Sequence, residues 1–203
     1  MMKTALLSLL LAATLPLVLA PAASAAHPWL DDPTAALLVI DIQQFYYPGG
    51  ALPLVNPEAA GRNAGRLLAA FREHGRAVVH VGHKAKSGIE FHPDVAPRAG
   101  EKVFMKSEVN AFLGTGLLDH LRQVGVTKLV ICGMQTHMCV EAATRAASDY
   151  GFKCIVVGDA CATRDLSYGG VTAPAAMVHA ATLSTLDQTY AQVVNTAGLL
   201  GER

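Results

Sequence analysis

Six short apolar runs recur along the chain with amphipathic stretches between them. The runs are Ala36–Ile40, Ala77–Val81, Lys102–Met105, Leu129–Cys132, Cys154–Val157 and Tyr190–Val194. Continuous β-branched runs of this length, without polar alternation, are the pattern of strands covered on both faces. The stretches between them read as helices. Pro57 to His74 sets Leu67, Leu68 and Phe71 on one face and meets Gly75 where a C-terminal cap belongs. Gly116 to Val124 ends at Gly125 in the same way, Cys139 to Tyr150 ends at Gly151, and Thr172 to Leu186 reads as the last long helix. Strands alternating with helices imply right-handed crossovers, so the expected fold is α/β: a three-layer α/β/α sandwich around a mainly parallel, Rossmann-like six-stranded sheet.

The first 25 residues follow a different pattern. Lys3 is their single charge, an apolar run extends from Ala5 to about Leu19, and Ala23-Ser24-Ala25 has the small-x-small form of a cleavage site. The run is shorter than the roughly 20 apolar residues a bilayer span requires. Residues 1–25 therefore read as a signal peptide, and 26–203 as one domain that is exported, periplasmic or secreted. Removing 25 residues from 203 leaves 178, with 15 basic and 16 acidic side chains. A domain of that size buries roughly 70% of its unfolded surface, enough for a full core without staples.

Composition then narrows the function. The whole chain is 52% hydrophobic and 16% charged, with formal net charge zero. That balance excludes a disordered chain and offers no overall attraction to nucleic acid or, after signal cleavage, to a membrane. Activity must sit in a local site. Cys132, Cys139, Cys154 and Cys161 are even in number, as disulfides would be, yet they lie in strand-like or helix-start segments. They read as free thiols, with a Cys154–Cys161 bridge as the alternative.

In parallel sheets ligands bind beyond the carboxyl ends of the strands. Three such ends carry reactive groups. Asp41 follows the first run and, taken alone, reads equally well as a turn cap. Lys106 ends the third run and, taken alone, reads as a solvated lysine. After the fourth run comes Gly133-Met134-Gln135-Thr136-His137-Met138-Cys139, which places a thiol at a helix start, where unpaired N–H groups are expected to lower its pKa. Together the three form a unit: Asp41 takes the thiol proton, Cys139 attacks a carbonyl, and Lys106 holds the carboxylate.

With these residues in place, the sequence resembles the isochorismatase-like cysteine hydrolases, whose relatives include nicotinamidases and other small-amide hydrolases. The resemblance covers about Ala35 to Leu200. It rests on Leu38-Val39-Ile40-Asp41-Ile42-Gln43, on Lys106-Ser107-Glu108-Val109-Asn110-Ala111-Phe112, and on Gly133 to Val140, with Asp159-Ala160-Cys161-Ala162-Thr163 and His179-Ala180-Ala181 as later blocks. It implies a catalytic triad of Asp41, Lys106 and Cys139, a cis peptide at Met134–Gln135, and an oxyanion hole from the backbone N–H groups of Gln135 and Cys139. It also implies a homo-oligomer, dimer or tetramer, acting on a small molecule. No cofactor is expected. A metal is not expected either, because His80 and His83 lack the carboxylate pattern of the nicotinamidase site. Gln43, Phe45, His83, Phe112 and His137 are candidates for the substrate pocket, and Arg164, Asp165 and Tyr168 for its rim. The polar loop from Lys84 to Glu101, with Phe91, His92 and Asp94, is a candidate cover. The implied reaction is hydrolysis of a carbon–nitrogen bond through a thioester. A vinyl ether hydrolysis of the isochorismatase type, with Cys139 as bystander, and a non-catalytic binding protein on the same fold remain open alternatives.

Overall fold

A computed structural model describes residues 26–202; the expected signal peptide lies outside the described residues. Six parallel strands form the main sheet: β1 Ala35–Ile40, β2 Ala77–His83, β3 Lys102–Lys106, β4 Lys128–Met134, β5 Lys153–Ala162 and β8 Gln192–Val194, in the order β3-β2-β1-β4-β5-β8. A separate hairpin pairs β6 Leu166–Tyr168 with β7 Val171–Ala173. The helices are α1 Pro57–Glu73, α2 Leu117–Gln123, α3 Glu141–Asp149, α4 Ala175–Leu186 and α5 Thr196–Leu200.

The period of two in each strand divides the core. In β1, Leu37 and Val39 pack with Leu67, Leu68 and Phe71 of α1 and Leu199 of α5. Ala36, Leu38 and Ile40 pack on the other face with Leu117 and Leu121 of α2, Ala143 and Ala147 of α3, and Leu186 of α4. All six β1 residues are buried, which explains a run with no polar alternation. This is the expected three-layer sandwich.

The order of the strands positions the site. The chain moves from β1 outward through β2 to β3, then returns to pair β4 with β1 on the other side. The β1–β4 seam is therefore the point where the direction of winding reverses, and its carboxyl ends open a crevice. Gly133 allows the seam to close. Its φ is +143°, and a Cβ there would lie 2.0 Å from the Ile40 carbonyl oxygen.

Two helix expectations need correction. The last long helix starts at Ala175, not Thr172. Gly169 and Gly170, with φ of +58° and +80°, form a tight hairpin turn of the kind that needs positive φ at both central residues, and Pro174 then marks the helix start. Nor is Cys139 the first residue of an α-helix. Thr136–Val140 form a π-helical turn, and α3 follows from Glu141.

Much of the loop from Lys84 to Glu101 is strapped to the segment after β1, while Ala85 at its start lines the cavity that opens onto Cys139. His92 N–H donates to the Ile42 carbonyl at 2.9 Å, Gln44 N–H to Glu90 at 3.0 Å and Phe45 N–H to Gly88 at 3.0 Å. The His92 ring stacks on Tyr47 with centroids 3.8 Å apart. Its far end is held by Glu101, which takes Arg72 Nε at 2.6 Å and lies 2.9 Å from His80 Nε2.

Candidate active site

Asp41, Lys106 and Cys139 meet at the carboxyl end of the β1–β4 seam. Asp41 follows β1 with φ of +51°, a conformation uncommon for any residue with a side chain. Its N–H donates to the Val81 carbonyl at 2.8 Å, which holds the residue at the end of β2. Lys106 closes β3 and pairs in register with His83. Its Nζ lies 2.7 Å from Asp41 Oδ2, donates to Cys139 Sγ at 3.2 Å and lies 3.0 Å from His83 Nδ1. The three side-chain carriers are almost fully buried: Asp41 is 0% exposed, Lys106 1% and Cys139 4%. The Asp41–Lys106 contact is an ion pair by proximity, since neither carboxylate oxygen receives a directed hydrogen bond.

Burial sets the acidity of the site. It pushes the Asp41 carboxyl above its usual range, with the Lys106 charge opposing. It also pushes the Cys139 thiol up to about 12, with the Asp41 charge adding to the rise and Lys106 opposing it. The expected lowering of the thiol pKa is therefore corrected. Desolvation and a neighbouring carboxylate outweigh the helix-start effect, and the resting thiol holds its proton.

The Met134–Gln135 peptide is cis, as the resemblance implied. Met138 and Val140 N–H both donate to the Gln135 carbonyl, at 3.1 and 3.2 Å. Among the described residues, neither the Gln135 nor the Cys139 N–H donates to an acceptor beyond the turn.

A cavity of about 410 Å³ opens onto Cys139. Phe45 and His83 line it as expected, together with Tyr46, Leu52, Ala85, Val109, Met138, Glu108, Gln135 and Arg164. Arg164 Nε donates to Gln135 Oε1 at 3.1 Å, and Gln135 Nε2 donates to the Tyr46 hydroxyl at 3.4 Å. Among the described residues, Arg164 has no carboxylate partner.

Three expected pocket residues lie elsewhere. Gln43 is fully buried, and its amide binds both the N–H and the carbonyl of His83, at 2.7 and 3.1 Å. Phe112 packs into the core against Phe152 and Tyr150. His137 turns its Nδ1 to Thr163 Oγ1, 2.6 Å away. Of the rim candidates, Arg164 lines the cavity, but Asp165 accepts from Ala175 N–H at the start of α4, and Tyr168 is 93% exposed on the hairpin. Tyr46, Leu52, Val109 and Met138 were not anticipated. They come from turns and loops, where no periodicity reports the direction of a side chain.

Among the described residues, no group of three His, Cys, Asp or Glu side chains is placed to hold a metal ion. His80 and His83 are both engaged, with Glu101 and Lys106 respectively. All four cysteines are free and buried. Across the bulge in β5, Cys154 pairs with Leu129 and Cys161 with Gly133 of β4, so the two stand about four strand positions apart, which at about 3.3 Å per position is beyond disulfide reach.

The geometry can be set beside that of known proteins. The isochorismatase domain model matches residues 35–197. The chain is 42% identical over 178 residues to YddQ of Bacillus subtilis, an uncharacterized isochorismatase family protein, covering 82% of this chain and 99% of that one. It is 33% identical over 185 residues to a maleamate amidohydrolase of Pseudomonas putida, covering 78% and 82% of the two chains. The crystal structure of a putative isochorismatase hydrolase from Oleispira antarctica superposes with a TM-score of 0.80 at 44% identity, over 83% of this chain and 96% of that one. With the match beginning where β1 begins and spanning 82% to 99% of these relatives, the chain belongs to the isochorismatase family and is a hydrolase.

Proposed function

We propose that the enzyme is a cysteine amidohydrolase acting on a small amide that carries a carboxylate. The observation that carries the reading is the shared Lys106 ammonium, in contact with both Asp41 and the Cys139 thiol. An ordinary carboxylate is a weak base for a thiol. Desolvation strengthens Asp41 as a base, and the thiolate it generates stands beside the ammonium.

In the proposed sequence, Cys139 passes its proton to Asp41 as its sulfur forms a bond to the amide carbon. The carbonyl oxygen takes the charge and is held by the Gln135 and Cys139 N–H groups. The carbon–nitrogen bond then breaks, and the nitrogen leaves with its electron pair and the proton from Asp41. Water attacks the thioester while Asp41 takes a proton from it. The carbon–sulfur bond breaks, releasing the acid, and Asp41 returns the proton to sulfur. Arg164, in the cavity without a carboxylate partner, supports a substrate carboxylate. A relative named as a maleamate amidohydrolase supports amide cleavage.

The same reading extends to the rest of the chain. Residues 1–25 act as a cleaved export signal, and the mature domain works in the periplasm or outside the cell as a homo-oligomer. The segment Leu166–Leu186 contains no Asp, Glu, Lys or Arg, and Tyr168, Val171 and Met177 on it are 93%, 71% and 66% exposed. An uncharged face of this kind supports self-association, which light scattering of the mature protein measures.

The test is a panel of small primary amides, with and without a carboxylate, plus isochorismate. Carboxylate-bearing amides should turn over with ammonia release, and Cys139→Ala should lower the rate by about 10³-fold or more. Turnover of isochorismate that survives Cys139→Ala would replace this reading with vinyl ether hydrolysis. No turnover of any substrate in the panel would favour a binding protein.

A further inference from the structure

His83 is tied into the site from two sides. Its backbone is clamped by the buried amide of Gln43, which accepts from His83 N–H at 2.7 Å and donates to its carbonyl at 3.1 Å. Its ring meets Lys106, its register partner on β3, through Nδ1 at 3.0 Å.

The chemistry of an ammonium decides the direction of that contact. Lys106 offers three N–H donors and no acceptor. Its three neighbours are Asp41 Oδ2, Cys139 Sγ and His83 Nδ1. His83 Nδ1 is therefore the acceptor, and in the neutral ring the proton sits on Nε2. Among the described residues Nε2 has no hydrogen-bond partner, and it is not a buried atom. His83 lines the cavity, so this N–H is open to whatever fills it.

Building on the triad reading above, we infer that His83 is a positioning residue: its neutral ring takes a Lys106 N–H and fixes the ammonium between Asp41 and Cys139. The same ring turns an Nε2–H donor toward the substrate. Protonation on Nδ1 would set a second positive charge against Lys106 and release it. Asp41 and Glu108 favour the protonated ring, and Cys139 faces it across the ammonium. Burial and Lys106 prevail, so the ring stays neutral at and above its ordinary pKa of 6.5. Gln43 thus acts through His83, which explains why a fully buried amide stands two residues after Asp41.

Two measurements test this without any substrate. Nitrogen-15 NMR of histidine-labelled wild-type protein should show His83 as the Nε2–H tautomer at neutral pH, assigned by its absence in His83→Asn. Alkylation of Cys139 by iodoacetamide, followed by peptide mass spectrometry against pH, reads the hold of Lys106 on the thiol. His83→Leu should slow alkylation at pH 7.5 by about tenfold, one pKa unit. His83→Asn, which keeps an acceptor for Lys106 but cannot titrate, should stay near the wild-type rate. It should also keep only the tenfold-per-unit decline of a protonated thiol, without the extra fall that the wild type shows on the acid side of the ordinary histidine pKa of 6.5. An Nδ1–H tautomer, an unaltered rate in His83→Leu, or the same acid limb in His83→Asn would overturn the inference. Failure of the amide panel alongside a His83-dependent thiol would sink the amidase reading and leave the role of His83 intact.

Discussion

Gly133 lies directly against Ile40, so close that a Cβ on residue 133 would stand 2.0 Å from the Ile40 carbonyl oxygen. This contact joins the ends of the two strands that carry Asp41 and the Cys139 turn. Gly133→Ala combines that clash with an unfavourable positive φ. It should destabilise the protein by more than about 3 kcal/mol and reduce soluble yield, measured by urea denaturation. A variant as stable as wild type would show that the seam can open without loss.

The buried Asp41–Lys106 pair makes an opposite prediction for single and double changes. Lys106→Met leaves a buried carboxylate without its counter-charge, a loss of about 3–5 kcal/mol at pH 7. Adding Asp41→Asn should recover much of that stability, although both variants lose turnover. The stability deficit of Lys106→Met should also shrink as pH falls, because the stranded Asp41 then takes up a proton. Denaturation of the variants at pH 5 and 7 reads both effects.

Arg164 is expected to separate substrates. Charge-assisted hydrogen bonds contribute about 1.5–3 kcal/mol, so Arg164→Gln should raise KM for a carboxylate-bearing amide roughly 10- to 100-fold. The KM of an uncharged amide should change far less. Equal losses on both would mean that Arg164 only braces Gln135.

Glu101 joins Arg72, His80 and the backbone of Arg98, and these contacts hold its carboxyl down to about 2. The stability it contributes is present above its unfolded pKa of 4.5 and is lost as pH falls toward 2. Buried His80 acts in the same direction, since burial lowers its pKa and unfolding lets it charge below 6.5. The melting temperature should therefore decline on the acid side in two stages. Glu101→Gln should shrink the lower stage, to which Asp32 with Lys128 also contributes, and a series of melts from pH 7 to pH 3 will detect the change.

Much of this was legible from residue pattern because a parallel sheet exposes few positions to chemistry. Asp41 and Lys106 stand directly at the ends of apolar runs, and Cys139 follows another within a short turn, so strand polarity places all three at one edge. Pocket walls followed no such rule. Gln43 and His137 flank catalytic candidates in the chain yet turn toward His83 and Thr163. Tyr46 and Met138, on turns without a repeating pattern, face the cavity. The hairpin before α4 was hidden because Val171-Thr172-Ala173 resembles the helix that follows. The Gly169-Gly170 pair, a turn signal, was the clue to it. The acidity of Cys139 was also out of reach, since it depends on how deeply the folded chain covers the thiol.

That depth of cover bears on how the enzyme endures oxidation. Peroxides and disulfides react with thiolates, and the thiol they would find here is 4% exposed and holds its proton well above neutrality. In the proposed reaction Cys139 becomes a strong nucleophile only when Asp41 takes its proton. For a chain proposed to work outside the cytoplasm, the unreactive resting thiol is a form of storage: the sulfur stays reduced between turnovers because it is activated only when substrate is present.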